Sequence, residues 1–412
     1  MRIYWTLWMF IFCAAVFGQK DCTLSKDFDS AINLKNFEEA SVLWKNYLAQ
    51  CESKTEAEFK KGEVIYTASI ENVNDPKSKK IEVDALLGYY NQYNTLFPNN
   101  GFETYSKVAF IMYSYKEGFK TEQIKKAFDL AFREKRESFR EPSYLLAYFE
   151  VQYQNFYKEE NGEQKLLALY FDVAAKCTVN RLKFPEFSSE YDALLQRMQV
   201  RLKDQLNRMS LDAFAHKADE KELSNPFWIQ GLVEALAKFC EMDPIFLTRA
   251  EQSHQLEKNA ATAYYYAVAL KNQGSIDKAL AYFDESLTLE KQNTLKSLRA
   301  CQVAIYLLGS DNKAAMNYLE KAQIADPKNA KVSFLMGEVY VSAIKECDLE
   351  GKSAEAVYVL AAKTVLKAAE ADKRFASAAQ KKAQEYRKNV TTPNGKKTTV
   401  AVGCWINQTV TW

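Results

Sequence analysis

Apolar residues recur at helical spacing along almost the whole chain, and strand-like alternation is confined to its end. The helical segments come in pairs joined by short polar connections, which is typical of antiparallel neighbours. The first pairs are SKDFDSAINLK with NFEEASVLWKNYLAQ, EAEFKKGEVIYTASI with KIEVDALLGYYNQYNTLF, FETYSKVAFIMYSY with TEQIKKAFDLAFREKR, and PSYLLAYFEVQYQNFY with GEQKLLALYFDVAAKC. The pattern predicts an all-α protein built from helical hairpins.

The rhythm changes after Lys183, where EFSSEYDALLQRMQVRLKDQLNRM predicts one longer helix. The stretch ADEKELSNP then predicts a polar break, with Pro226 placed to begin the next helix. The predicted divisions are N-terminal hairpins over residues 19–183, a divergent helical segment over 184–258, C-terminal hairpins over 259–388, and a tail over 389–412.

A ladder of small and large residues recurs within the C-terminal hairpins. GSIDKALAYFDESLTLEK places Ala279, Phe283 and Ser286 on one helical face, and NKAAMNYLEKAQIADPKN repeats this with Ala315 and Leu319. Small residues let paired helices approach closely, and large residues fill the gap between successive pairs. Since one pair cannot bury its apolar face alone, this ladder predicts stacked pairs whose rings serve packing.

This ladder, with its glycine turn at Gly274, resembles the tetratricopeptide repeat (TPR), a helix–turn–helix unit of 34 residues. The match covers a whole unit over residues 260–293 and most of one over 296–329, and it is weaker over 21–54. The resemblance implies an α-solenoid of stacked antiparallel helix pairs forming a TPR-like superhelix. The repeat period sets its size at roughly five to seven hairpins.

Repeat arrays of this family present a concave groove lined by their first helices and usually recognise protein segments, so the resemblance implies protein partners. The candidate groove-facing residues are Tyr264, Val268, Lys271, Asn272, Lys331, Phe334, Glu338 and Val341. An ordinary solvated or half-buried helix face is the alternative interpretation of these positions. Some members grip a terminal carboxylate with lysines and asparagines, and of the positions where that clamp would sit only Lys331 fits.

The opening stretch MRIYWTLWMFIFCAAVFG, residues 1–18, predicts a secretory signal peptide cleaved before Gln19. Arg2 is its single charge, and an uncleaved N-terminal anchor is the alternative. No later apolar stretch is long enough to cross a bilayer, so we expect an exported protein, periplasmic or secreted, that does not span the membrane after cleavage. The leader, the first hairpin and the VGCWIN tail together resemble exported repeat proteins of the Bacteroidota.

The charge of the chain is nearly balanced, with 55 basic and 53 acidic residues. This balance gives no electrostatic reason to expect nucleic acid or anionic lipid as a partner. With no CxxC pair and two histidines in the chain, we also expect no zinc site.

Because an exported protein folds in an oxidising compartment, its cysteines can form disulfides and need not all be buried thiols. Cys22 and Cys51 bracket the first hairpin and fall at the same end of an antiparallel pair, which predicts a bridge between them. Cys347 and Cys404 are a second candidate pair, because two helices carry the chain away and back between them. Three further cysteines lie on apolar helical faces and are predicted to be buried, inert thiols: Cys177, Cys240 and Cys301.

The tail KKTTVAVGCWINQTVTW is the strand-like segment. Val400, Val402, Cys404 and Ile406 would share one face, and Asn407-Gln408 would form the turn. We predict a small β-hairpin that covers the last helix. A strand offered to a partner's sheet is the alternative.

No motif for catalysis was identified, and we expect no cofactor. His216 and His254 lack a recognisable nucleophile or metal context, and GxSxG, HExxH and phosphate-loop motifs are absent. Glu285-Ser286 matches a dipeptide of lysozyme-like lytic enzymes, but Ser286 is a small residue of the ladder. The chain is therefore interpreted as a non-catalytic TPR scaffold or adaptor of the cell envelope.

The alternative function is a glycan- or peptidoglycan-binding, or cleaving, envelope protein, suggested by 24 Tyr and 25 Phe. A packing role would bury most of these rings, whereas a sugar platform would expose several on one surface.

Overall fold

The computed structural model describes residues 24–52, 54–98, 102–391 and 397–412. They form two compact units, of which the first contains the residues up to 158 and residues 180–194. The second unit contains residues 159–179 and all residues from 195 onwards. The predicted signal peptide lies outside the described residues, and the predicted boundaries at 183 and 258 stay predictions. Within the described ranges, no helix combines the length and the apolar character that a membrane crossing requires.

The helices up to residue 158 are α1 (Leu24–Asn33), α2 (Phe37–Gln50), α3 (Glu56–Lys60), α4 (Gly62–Glu71), α5 (Pro76–Leu96), α6 (Thr104–Ser114), α7 (Thr121–Asp129) and α8 (Pro142–Phe156). Next come α9 (Gly162–Lys183), α10 (Ser188–Arg201), α11 (Arg208–Lys217), α12 (Glu220–Leu223), α13 (Pro226–Phe239), α14 (Pro244–Leu256), α15 (Ala260–Asn272) and α16 (Ile276–Leu289). The last elements are α17 (Asn293–Leu307), α18 (Asn312–Ala325), α19 (Ala330–Glu346), α20 (Gly351–Ala371), α21 (Ala376–Arg387), β1 (Thr399–Val402) and β2 (Gln408–Thr411).

The prediction of one long helix after Lys183 is wrong, because the chain leaves the helix between α10 and α11. Asn207 occupies the interruption, and its side chain accepts a hydrogen bond from the Ser210 backbone N–H. A short polar side chain in this role begins a new helix, and the local cap outweighs the apolar periodicity. The prediction that Pro226 begins a helix is confirmed, with Asn225 capping α13.

The core of the first unit is rich in aromatic rings that contact one another. The Trp44 ring lies 5.3 Å from that of Tyr47, and the Phe59 and Tyr89 rings stack at 5.2 Å. Buried tyrosine hydroxyls need partners, and the Tyr47 hydroxyl donates to Glu58 Oε2 at 3.1 Å. The aromatic richness of this unit therefore reflects packing.

The second unit stacks helix pairs in the order of the chain: α13 with α14, α15 with α16, α17 with α18, and α19 with α20. The first helices α13, α15 and α17 begin at residues 226, 260 and 293, close to the 34-residue period of the TPR. The predicted divergent segment thus contains a packed helix pair, α13–α14, directly before the repeats. The α-solenoid architecture predicted from the sequence is confirmed.

The small residues of the ladder lie in the interfaces between helices, where Ala267, Ala279 and Ala315 are all buried. Gly337 of α19 lies so close to α20 that an added Cβ atom would come within 2.4 Å of Val365 Cγ2. The packing interpretation of the ladder is confirmed.

Two cap residues also join neighbouring pairs. Asn259 caps α15, and its side-chain amide donates to Gln230 Oε1 of α13 at 3.2 Å. Asn329 caps α19 and likewise donates to Ser297 Oγ of α17 at 2.9 Å. Each asparagine therefore begins one helix and contacts the first helix of the preceding pair.

The C-terminal strands form the predicted antiparallel hairpin, with Thr399 opposite Thr411 and Val402 opposite Gln408. Its loop runs over residues 403–407, so the prediction of a turn at Asn407-Gln408 is wrong. Both strands pack on α20, not on the last helix α21 as predicted. The chain returns along the middle of α20, where Lys363 Nζ donates to the Thr411 carbonyl oxygen at 2.8 Å.

Candidate functional site

Polar and aromatic side chains of α15 and α17 contact each other. The Lys271 ammonium of α15 lies 4.2 Å above the Tyr306 ring of α17. The Arg299 guanidinium of α17 lies 5.6 Å from the Tyr264 ring of α15. Two cation–π contacts of this kind, one in each direction, fix these two helices as neighbours.

The half-exposed side chains beside these contacts form one surface. We call it the first-helix face, and it consists of Tyr264 and Lys271 of α15 with Leu298, Ile305 and Tyr306 of α17. Leu298 is 46% exposed although it lies on a packed helix. The face therefore combines apolar side chains with the edge of an aromatic cluster and one cation.

A mostly buried ion pair lies next to this face and holds Arg299 in place. Arg299 Nη1 lies 2.6 Å from Glu290 Oε2, with side chains only 19% and 9% exposed. The second carboxylate oxygen of Glu290 accepts from the Gln292 backbone N–H at 2.9 Å, which fixes the turn before α17. The Arg299 head is thus held by Glu290 and by the Tyr264 ring together.

Tyr264 is neutral on this face. Burial raises the pKa of its phenol far above the usual range, and Tyr306 acts in the same direction, whereas Arg299 opposes the increase in the pKa. Lys271 therefore contributes charge to the face, and the two tyrosines contribute rings and hydroxyls.

Of the candidate residues on α15, the structure places Tyr264 and Lys271 on the first-helix face. The inclusion of Val268 is wrong, since it is 5% exposed and packs inside the array. Asn272 is half-buried, and its side-chain amide donates to the Glu241 carbonyl oxygen at 2.8 Å. That bond turns Asn272 toward the end of α13.

The candidates on α19 have several different surroundings. Phe334 packs against Phe375, with ring centroids 5.8 Å apart, in the turn before α21. Glu338 Oε1 lies 3.9 Å from Lys382 Nζ of α21. Lys331 is exposed, and Val341 is half-buried at the edge of a cavity of about 340 Å³. Phe334 and Glu338 thus contact the final helices of the chain.

The sequence interpretation missed Leu298, Ile305 and Tyr306. They follow Tyr264, Lys271 and Asn272 by one 34-residue period, so the repeat itself carried the signal. Cys301 of α17 is a fully buried thiol, as predicted. Burial raises the pKa of its thiol to about 11, so it is a thiol at neutral pH.

The remaining cysteines among the described residues are either buried or bonded. Cys177 and Cys240 are buried thiols, as predicted, and burial raises the pKa of Cys240 to about 11. Cys347 and Cys404 form a disulfide, with Cα atoms 6.0 Å apart. Cys51 is buried and disulfide-bonded. Cys22 lies outside the described residues, so its pairing with Cys51 stays a prediction.

The histidines and the Glu285-Ser286 dipeptide have structural surroundings. Ser286 is buried, and its hydroxyl donates to the Ala260 carbonyl oxygen at 2.6 Å. His254 is buried between helices, with Nδ1 3.3 Å from Thr262 Oγ1 and Nε2 3.6 Å from Glu285 Oε2. His216 is largely exposed beside Asp212. Ser286 is the packing residue that the ladder predicted.

Most aromatic side chains are buried or half-buried in packing contacts. Throughout the described part of the chain, Tyr157 is the one Phe, Tyr or Trp that is exposed. The exposed ring platform that a glycan-binding surface would need is therefore not formed by the described residues.

No model of a known protein family matches the chain. Its sequence is similar to the Photosystem I assembly protein Ycf3 of Prochlorococcus marinus, strains NATL1A and NATL2A. Each comparison gives 34% identity over 89 residues, which are 20% of this chain and 49% of the relative. The chain thus spans about half the length of the curated relatives it matches. The packed helix pairs and this partial similarity fit a TPR protein.

Proposed function

We propose that the protein is a non-catalytic scaffold or adaptor that binds other proteins through the first-helix face. The observation that carries the proposal is the set of ring and cation contacts between α15 and α17, with Leu298 and Ile305 on one face of α17 beside them. Apolar side chains grouped with aromatic rings and a cation are typical of a protein docking site. The name of the partial relatives, an assembly protein, supports an interaction role.

The place of action in this proposal is the cell envelope or the exterior, after export. The apolar opening residues and the Cys347–Cys404 disulfide support it, since such bonds persist mainly in oxidising compartments. The resemblance to exported Bacteroidota repeat proteins points the same way.

A matched pair of charge substitutions tests the docking face. Leu298→Asp places a carboxylate on the face, and Ile324→Asp places one on α18, at a side chain that is 82% exposed. Proteins crosslinked to the full chain in its native cells are identified by mass spectrometry. Each is then titrated against both variants.

A partner that docks on the face should bind Leu298→Asp at least about tenfold more weakly, the loss expected for an interface anchor. Ile324→Asp should bind that partner as the unsubstituted chain does. Equal affinity of the partner for both variants would show that it binds at another surface. Binding to isolated peptidoglycan, with no protein captured, would replace the scaffold by the glycan-binding function.

A further inference from the structure

The C-terminal hairpin is attached to the helices by one covalent bond and by non-covalent contacts. The bond joins Cys347, just after α19, to Cys404 in the hairpin loop. Among the contacts, Gln408 Nε2 donates to the Tyr340 hydroxyl at 3.1 Å, and the Trp405 and Tyr340 rings stack at 6.4 Å. The hairpin thus covers part of the surface formed by α19 and α20.

The hairpin has little stability of its own. Its strands have four residues each, and isolated two-stranded sheets are marginally stable in water. Its loop holds Cys404 at φ +58°, a left-handed conformation that is unfavourable for cysteine. The buried side chains that favour docking are Val402, Ile406 and Val410.

The disulfide is open to attack from one side. Residue Cys404 is exposed, whereas Cys347 is half-buried, and we take the Cys404 sulfur as the atom that an incoming thiolate attacks. That attack forms a mixed disulfide at Cys404 and releases the Cys347 thiolate, which takes up a proton. The second thiol of a dithiol reductant then displaces Cys404 as a thiol, and the reductant leaves as its own disulfide.

We propose that the Cys347–Cys404 disulfide is a reducible latch. While it is closed, the hairpin covers Tyr340 and the neighbouring apolar surface of α19 and α20. When a dithiol of the compartment opens it, the hairpin leaves that surface and its strands lose their backbone protection, while the helix pairs remain folded. The latch makes exposure of this surface depend on redox conditions and not on a bound ligand.

Hydrogen exchange followed by mass spectrometry tests the latch on the full chain, with and without dithiothreitol. Opening should raise the exchange rates of amides in residues 398–412 at least about tenfold, the range reached when a local element opens. The exchange of α15–α18 should not change. The double variant Cys347→Ala, Cys404→Ala should show the fast hairpin exchange without reductant.

Two further variants make the result unambiguous. Val410→Asp keeps the disulfide but places a charge under the hairpin, so it reports the exchange of a detached hairpin. Cys301→Ala removes a buried free thiol and should leave the hairpin protected. If both latch cysteines titrate as thiols and the hairpin still exchanges slowly, the latch does not exist. Loss of protection throughout the second unit would instead identify the bond as a structural staple and overturn the proposal.

Discussion

Gly337 of α19 lies directly against Val365 of α20, and an added Cβ would come within 2.4 Å of Val365 Cγ2. Gly337→Ala should therefore force the two helices apart and lower the free energy of unfolding by about 1–3 kcal/mol, as overpacking does. Gly231→Ala in α13 is the matched control, because its Cβ would meet Phe171 at an ordinary 3.7 Å. Urea unfolding should show that control to be neutral or slightly stabilised, and an equal loss in both variants would contradict the close-approach account.

The Arg299–Glu290 pair should behave as a unit. Removing either member leaves a mostly buried charge without its partner, so Glu290→Leu and Arg299→Leu should each cost about 3 kcal/mol or more of unfolding free energy. The double variant should cost clearly less than the sum of the two single changes. Thermal or urea unfolding of the four proteins measures this coupling, and simple additivity would show that the two charges act independently.

His254 should make stability depend on pH. Burial lowers its pKa below the usual value, although Glu285 acts against this and Lys258 adds to it. The unfolded chain then binds a proton near pH 6.5 before the folded protein does, so the free energy of unfolding should fall as pH decreases below about 6.5. His254→Gln should remove this component.

His216→Gln, at the exposed histidine, is the comparison variant for that measurement. Urea unfolding midpoints of the variants are compared between about pH 5 and 8, the range in which histidine titrates. Identical slopes for the His254→Gln variant and the unsubstituted protein would show that the buried imidazole does not control this behaviour.

The predicted Cys22–Cys51 bridge should stabilise the first hairpin by about 3 kcal/mol through the entropy of the unfolded chain. Cys22→Ser should lower the melting temperature, and reductant should then produce no further loss. The measurement belongs in a Cys404→Ser background, so that reduction of the second disulfide does not contribute. An unchanged melting temperature in Cys22→Ser would show that this bridge does not form.

Local signals in the sequence were sufficient for the helix pairs and their order. Apolar spacing, cap residues such as Asn225 and the ladder around Ala279 act within a few residues, so each hairpin could be predicted separately. The break at Asn207 was missed because a side-chain cap competes with the apolar period there. The sequence pattern does not show whether the side-chain cap or the apolar period is energetically stronger at this position.

The site was harder to predict because it depends on contacts between repeats. Val268 follows Tyr264 by four residues, and that step turns about 40° around a helix, enough to move a side chain from the surface into the interface. The Arg299–Glu290 pair and the docking of the hairpin on α20 join residues whose proximity no local pattern indicates. Leu298 was predictable from the repeat period.

The double role of Asn329 limits how the array can be divided. The same amide group that begins α19 also holds Ser297, so neither pair has a complete boundary without the other. A chain cut before residue 329 would expose a flank of α17 that lacks its polar partner, and the fragment beyond the cut would start with a cap bound to nothing. A single pair can therefore be excised or transplanted only with a redesigned end. Neighbouring pairs kept in one fragment retain this contact.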